Sequence, residues 1–297
     1  MINLKKTIYY FFIILIYYLL LTTIVFAFSY ISLINGKTYD LFWIKSIQKK
    51  IYFRGYRNIW QYNNNCTSYD KNLLYKPKVG NCKFTNPEFS TYLTFDQISR
   101  KHDLKNNYDI DHGHILVLGD SIAMGWGVND NETFSYLMEK NLKQKVYNLG
   151  VSSYGTVREI KKMKLSSLYN DSKKIIIQYH PNDLYENMEL DYNKVYSKKE
   201  YDDIYETKHH ELDLIKFILK NFKTSLRLFF SDINDIVFQE ENIEKINFDE
   251  DKKYLEKIIK ERIDVKNKEI IVVLVIAPYQ KVINFPDSDS EIKYLLI

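Results

Sequence analysis

The chain has 297 residues, 45% of them apolar and 27% charged, with a formal net charge of +4. That length admits one large domain or two small ones with a sizeable core. The charge is small and spread along the chain, and no basic stripe points to nucleic acid. The 26 tyrosines reflect a general drift in composition, so no single Tyr is read as a signal.

No residue from Thr7 to Gly36 is charged. A bilayer core needs about 20 apolar residues in helical form, and this run is longer. It also exceeds the apolar region of about 7–15 residues in a cleaved leader. Residues 1–36 are therefore expected to form a transmembrane signal anchor. Ala27-Phe28-Ser29 can imitate a cleavage site, which leaves a removed leader as the alternative. A helix apolar on every side would need a large protein around it to be a core helix. Lys5 and Lys6 precede the span, while Lys37, Lys45, Lys49, Lys50, Arg54 and Arg57 follow it, so charge gives no clean orientation.

The two cysteines, Cys66 and Cys82, lie in a polar segment beyond the span. A lone pair at this spacing suits one disulfide in an oxidising compartment. Closing a loop of about 15 residues would stabilise by roughly 3 kcal/mol in the entropic model. Two unpaired thiols are the alternative. The disulfide reading puts the downstream chain outside the cytoplasmic membrane, on a single-pass anchor. Residues 37–110 are expected to form an extracytoplasmic stalk, irregular over 63–86, where Asn, Lys, Gly and Pro accumulate. No Cys or His stands at zinc spacing, and neither a metal nor another cofactor is expected.

From residue 111 to 297 the pattern is that of a globular domain. Short apolar runs at 115–118 (ILVL), 145–149 (KVYNL), 174–178 (KIIIQ) and 270–276 read as buried strands. Helical spacing covers 130–142, with Phe134, Leu137 and Leu142 on one side, and also 157–168, 210–230 and 251–263. Alternating strands and helices predict a parallel sheet with helices on both faces. Ligands of such sheets bind beyond the carboxyl ends of the strands.

Those ends carry chemistry. The first strand runs into Gly119-Asp120-Ser121, the second into Asn148-Leu149-Gly150, and the third into His180-Pro181-Asn182-Asp183. Ser121 on a tight turn is a candidate nucleophile. The N–H groups of Ser121 and Gly150 and the side-chain amide of Asn182 are candidate donors to a developing oxyanion, each typically worth about 100- to 1,000-fold in rate. Asp120 is expected to support the turn. Each residue also has a plain reading: Ser121 as a helix N-cap, Gly150 as a strand terminator, Asn182 and Asp183 as caps of the next helix.

The three blocks resemble those of the SGNH (GDSL-type) hydrolases, with Ser121 in GDS, Gly150 in NLG and Asn182 in PND, in the family's order. The extension GDSIAMGWGVNDNETF is similar to a membrane-anchored branch acting on the cell envelope, as is the preceding segment with Cys66, Cys82 and Glu88-Phe89. The resemblance implies a three-layer α/β/α, flavodoxin-like fold and ester hydrolysis through an acyl-enzyme. O-acyl groups on envelope glycans are the implied substrate class. A catalytically inactive binding or interaction module on the same fold is the alternative. A flavodoxin-like binding domain is disfavoured, because no Gly-rich phosphate loop follows the first strand.

The resemblance also implies a His base in an Asp-x-x-His block after a fifth strand. None of the six histidines follows the fourth strand. The base and its Asp are thus expected to be absent from this chain, through loss of a last strand and helix or in a naturally inactive relative. Asp109 and His112, and likewise Asp111 and His114, have the Asp-x-x-His spacing. But His114 opens the first strand and Ser121 lies past its end, roughly 17 Å away at about 3.3 Å per residue. Proton transfer needs hydrogen-bond reach. His102 reads as a loop histidine, and His209 and His210 as the start of a helix. His180 reads as a rim histidine, with a stand-in base as the alternative.

Overall fold

Apolar residues that alternate between two faces build the central sheet. The computed structural model describes residues 4–35, 37, 44–45, 47–48, 58–86, 89–102, 104, 113–189, 191–208, 245–246, 248–275, 281–282 and 291–296. The expected helix over 210–230, His209, His210, His112, Asp109, Asp111 and Glu88 lie outside these residues. The chain divides into two compact units, one of residues 1–58, 86–88 and 209–240, the other of 59–85, 89–208 and 241–297.

In the first unit, helix α1 spans Leu4–Ile34. Its 31 residues at 1.5 Å rise extend about 46 Å, more than the hydrocarbon core of a bilayer. Mean hydropathy reaches 2.6 over Lys5–Leu33, and little of that stretch is buried by protein. Thr22 and Thr23 donate their hydroxyls to the carbonyls four residues back, at 2.8 Å each, so these groups need no water. The helix is long and apolar enough to cross a membrane.

In the second unit, β1 (Thr67–Asp70) pairs antiparallel with β2 (Leu74–Pro77), and β3 (Gly80–Asn86) pairs with β4 (Phe89–Phe95). Cys66 and Cys82 form a disulfide with Cα atoms 5.1 Å apart. The expectation of irregular structure over 63–86 is corrected here. Along β3 burial alternates, with Cys82 and Phe84 inward and Lys83 and Thr85 outward, a half-buried strand whose polar outer face masks it in the composition. Trp60, Tyr75, Phe84 and Phe95 join Met124, Val151 and Tyr154 in one apolar cluster. The hairpin β1–β2 is thereby packed onto the loops that carry the strand-end residues.

Five further strands form one parallel sheet in the order β6-β5-β7-β9-β11. They are β5 (His114–Leu118), β6 (Val146–Asn148), β7 (Ser172–Tyr179), β9 (Glu269–Leu274) and β11 (Ile292–Leu296). Two short strands, β8 (Lys245–Ile246) and β10 (Lys281–Val282), pair separately. Numbered by sequence, the order of the large sheet is 2-1-3-4-5, the flavodoxin-like doubly wound arrangement. Its fifth strand corrects the expectation of a missing one: Ile292 and Tyr294 are buried, Lys293 and Leu295 exposed, and the strand pairs with β9.

Leu116, Leu118, Ile175, Ile177, Val272 and Tyr294 face one side of the sheet. That side is covered by α4 (Thr156–Leu165) and α8 (Phe248–Arg262), through Ile160, Met163, Leu255 and Ile259. Ile115, Val117, Val146 and Ile176 face the other side, against Met138 of α3 (Phe134–Leu142). Between these lie α2 (Ser121–Met124), α5 (Leu168–Asp171), α6 (Asp183–Glu189) and α7 (Lys198–Lys208). On α3 the side that carries Phe134, Leu137 and Leu142 is exposed, and Ser135 and Glu139 are buried.

Candidate functional site

The serine turn is held from three directions. Gly119 has φ +148°, and a Cβ there would stand 2.6 Å from both Ala123 Cβ and Gln178 Oε1, so only glycine fits. Asp120 is the N-cap of α2 and accepts the Ile122 N–H at 2.8 Å. Ser121 is therefore not the cap, and its plain reading fails. Its hydroxyl and its N–H have no hydrogen-bond partner among the described residues. Gln178 Oε1 accepts the N–H groups of Asp120 and Ala123 at 3.1 Å each, fastening the turn to β7. Arg100, only 1% exposed, closes the far side. It donates to the carbonyls of Met124 (2.6 Å), Gly125 (2.9 Å) and Val128 (2.8 Å) and to Asp130 Oδ1 (2.7 Å).

Gly150 lies beside this turn. A Cβ on it would meet Met124 N at 2.4 Å and Ala123 C at 2.7 Å, both main-chain atoms. Close approach of β6 to α2 thus requires glycine. The N–H of Gly150 is not open as expected from the sequence: it donates to Asn148 Oδ1 at 3.0 Å. Asn148 is fully buried, and its amide nitrogen donates to Ala123 O and to Ser135 Oγ, both at 2.8 Å.

Asn182 is exposed on the turn from β7 into α6. Its Oδ1 lies 2.9 Å from His180 Nδ1, and His180 makes no hydrogen bond to Ser121. Beneath the turn is a group of carboxyls. Burial raises Asp120 above its ordinary range, against the Ile122 N–H and His180, which pull it down. Burial raises Asp183 and Glu159 much further, and neighbouring acids add to the rise. Glu159 is 1% exposed, and neither of its oxygens has a hydrogen-bond partner among the described residues. Glu186 differs, since it pairs with Arg158 at 2.8 and 2.5 Å.

His102 lies in a loop, as expected, but it is not idle there. It is buried, with Nδ1 2.9 Å from Glu139 Oε2 and Nε2 3.2 Å from Ser135 Oγ. The connectivity is that of a Ser-His-acid triad, but Ser135 is enclosed, at 0% exposure, and its oxygen also takes the Asn148 amide. His114 bonds to Leu168 O at 2.7 Å, at the opposite end of β5 from Ser121. Among the described residues no group of three His, Cys, Asp or Glu could hold a metal ion. Arg100, Asn148, Gln178 and Glu159 were not singled out as functional by sequence reasoning. Only Asn148 carried a signal, its place directly before Leu149-Gly150.

No family model matches the chain, and no curated protein matches it. Among solved structures, a point mutant of the esterase AlinE4 aligns with 57% of this chain at 17% identity and a TM-score of 0.25. The aligned part covers 65% of that esterase's chain, just under two thirds of its length.

Proposed function

We propose that the chain is a serine ester hydrolase of the SGNH type, with Ser121 as nucleophile. One observation carries the reading. Asp120 takes the cap position, which leaves the Ser121 hydroxyl and N–H both without partners among the described residues at the carboxyl end of β5. This is also where the strand order reverses, the usual ligand position in such a sheet.

In the proposed reaction Ser121 Oγ attacks the ester carbonyl and its proton passes to a general base. The carbonyl oxygen becomes an oxyanion held by the Ser121 N–H, the Gly150 N–H and the Asn182 amide. Collapse expels the alcohol and leaves an acyl group on Ser121, which water then removes. Gly150 would exchange Asn148 Oδ1 for the oxyanion. Burial raises the pKa of Asp120, and of Asp183 and Glu159 much further; this disfavours their charged forms, which would repel a developing negative charge. The base belongs, by the SGNH resemblance, to an Asp-x-x-His block beyond the fifth strand.

The long apolar helix and the disulfide support an anchored domain on the extracytoplasmic side. Acyl esters on envelope glycans are the proposed substrates, by analogy alone. The second reading, an inactive binding module, is favoured by the Asn148 contact that occupies Gly150. Hydrolysis of short-chain p-nitrophenyl esters by wild type and Ser121→Ala separates the two. Equal rates would exclude the hydrolase.

A further inference from the structure

One lysine lies directly behind the proposed oxyanion donor. Lys162, on the inward face of α4, is buried at 8% exposure and donates from Nζ to the Leu149 carbonyl at 2.8 Å. It makes no salt bridge among the described residues. Burying a lysine without a carboxylate partner is costly, and here its charge is directed at a single peptide carbonyl. That carbonyl shares its peptide unit with the Gly150 N–H. The same unit is therefore held at both ends, by Lys162 on the oxygen and by Asn148 Oδ1 on the N–H at 3.0 Å.

We propose that Lys162 is a positioning residue that acts through the Leu149–Gly150 peptide, fixing its plane and strengthening the Gly150 N–H as a hydrogen-bond donor. The role as an oxyanion donor rests on the hydrolase reading; the coupling through the peptide does not. A cation on a carbonyl oxygen draws density from the amide and makes its N–H more acidic, the polarisation seen in chains of hydrogen bonds. Asn148 completes the frame, since its amide nitrogen is tied to Ala123 O and Ser135 Oγ and cannot swing away freely.

The coupling is switchable. Burial pushes the Lys162 ammonium down to about 7, with Asp96 and Glu159 acting against the drop. Asp96 faces it from the turn after β4, and Glu159 stands three residues earlier on α4. Lys162 also lines a cavity of about 200 Å³ that includes Asp70, Lys76 and Asp96, a route for proton exchange. On the other side of the peptide, Asn148 connects through Ser135 to His102, Glu139 and Lys145. Asp120 is the titratable group on the serine turn, its pKa raised by burial. Below about pH 7 the peptide carries the charge on its oxygen, and above it a neutral amine.

Selective labelling reads this directly. Only Gly119 and Gly150 follow a leucine, so carbonyl-¹³C leucine with ¹⁵N glycine gives two correlated amide signals in the full chain in detergent micelles. Leu118→Ile removes the Gly119 signal and so assigns the pair. The Gly150 amide proton is expected to move upfield with one midpoint near pH 7. Lys162→Arg, charged throughout, should hold it at its low-pH position, and Lys162→Met should abolish the titration. An unchanged Gly119 signal reports that a variant is folded, and if the Met variant does not fold, wild type against Arg decides. A wild-type Gly150 signal that does not titrate overturns the proposal. So does a titration that persists in Lys162→Arg, which would place its source outside Lys162. None of these outcomes depends on ester hydrolysis, so the hydrolase reading can fail separately. If that reading holds, Lys162→Met lowers kcat by ~10-fold, less than the loss of a whole donor, and Lys162→Arg restores it.

Discussion

Replacing Arg100 by Met keeps the length of the side chain and removes every donor that Arg100 offers to the serine loop. The carbonyls of Met124 and Gly125 lie in a buried region and receive charged donors at 2.6 and 2.9 Å. A hydrogen bond to a charged group contributes about 1.5–3 kcal/mol net. Two of them at the low end give about 3 kcal/mol. The Asp130 ion pair adds about 1 kcal/mol, discounted because the Asp130 side chain is 23% exposed. The thioether returns about 1 kcal/mol of apolar burial. The net loss is about 3 kcal/mol, a large fraction of a typical domain stability of 5–15 kcal/mol. Urea unfolding of the full chain in detergent, followed by tryptophan fluorescence, measures it. Trp126 packs on Phe84 at 4.9 Å beside this loop and reports its order. Arg100→Lys, with three donors, should fall between wild type and Met. A loss below about 1 kcal/mol for Met, with m unchanged, would refute the view that Arg100 holds the loop.

Three further outcomes are expected. Gly150→Ala should destabilise by about 2–3 kcal/mol as an overpacked site, because its Cβ meets main-chain atoms at 2.4 and 2.7 Å; an unchanged melting temperature would contradict this. Glu159 has a folded pKa raised by burial, so its contribution is fully present below the unfolded value of about 4.3 and is lost as pH rises through the folded one. Wild type should therefore lose stability relative to Glu159→Gln as pH rises, and a pH-independent difference in urea midpoints would be against it. His180 is bonded to Asn182 and not to Ser121, so His180→Ala should reduce Ser121-dependent ester hydrolysis by less than ~10-fold. A loss in the ~100- to 10,000-fold range of a general base would assign it that role.

The sheet was legible where apolar residues ran without interruption. Each of the first three strands ends in a glycine or proline turn, and the residues placed there are the ones the structure brings to one edge. The fifth strand was not legible, because Lys293 interrupts the apolar run of IKYLL, which takes its place by pairing with β9. The ladders between Thr67 and Asn86 were hidden by outward Asn, Lys and Thr. On α3 the period was readable but the face was not: His102 and Asn148 draw Ser135 and Glu139 inward, a tertiary choice that no propensity records. Arg100 lies in a polar stretch, and Glu159 in a lysine-rich helix that reads as solvated. Their significance is their burial, which comes from elements distant in sequence. Asp120 shows the reverse case, in which adjacent residues contain the answer, since an equally good cap stands directly before Ser121 and takes the capping position.

Covalent trapping tests the role of Ser121 most directly. The full chain is incubated with p-nitrophenyl acetate, with imidazole added as an external base, then digested and examined by mass spectrometry. Imidazole supplies the proton acceptor that Ser121 lacks among the described residues. Nucleophilic Ser121 should appear as its acetyl ester, with a yield that rises with imidazole, and Ser121→Ala should show no acetylserine at all. Acetyl groups confined to lysines, at the same level in wild type and Ser121→Ala, would contradict the assignment of Ser121 as nucleophile.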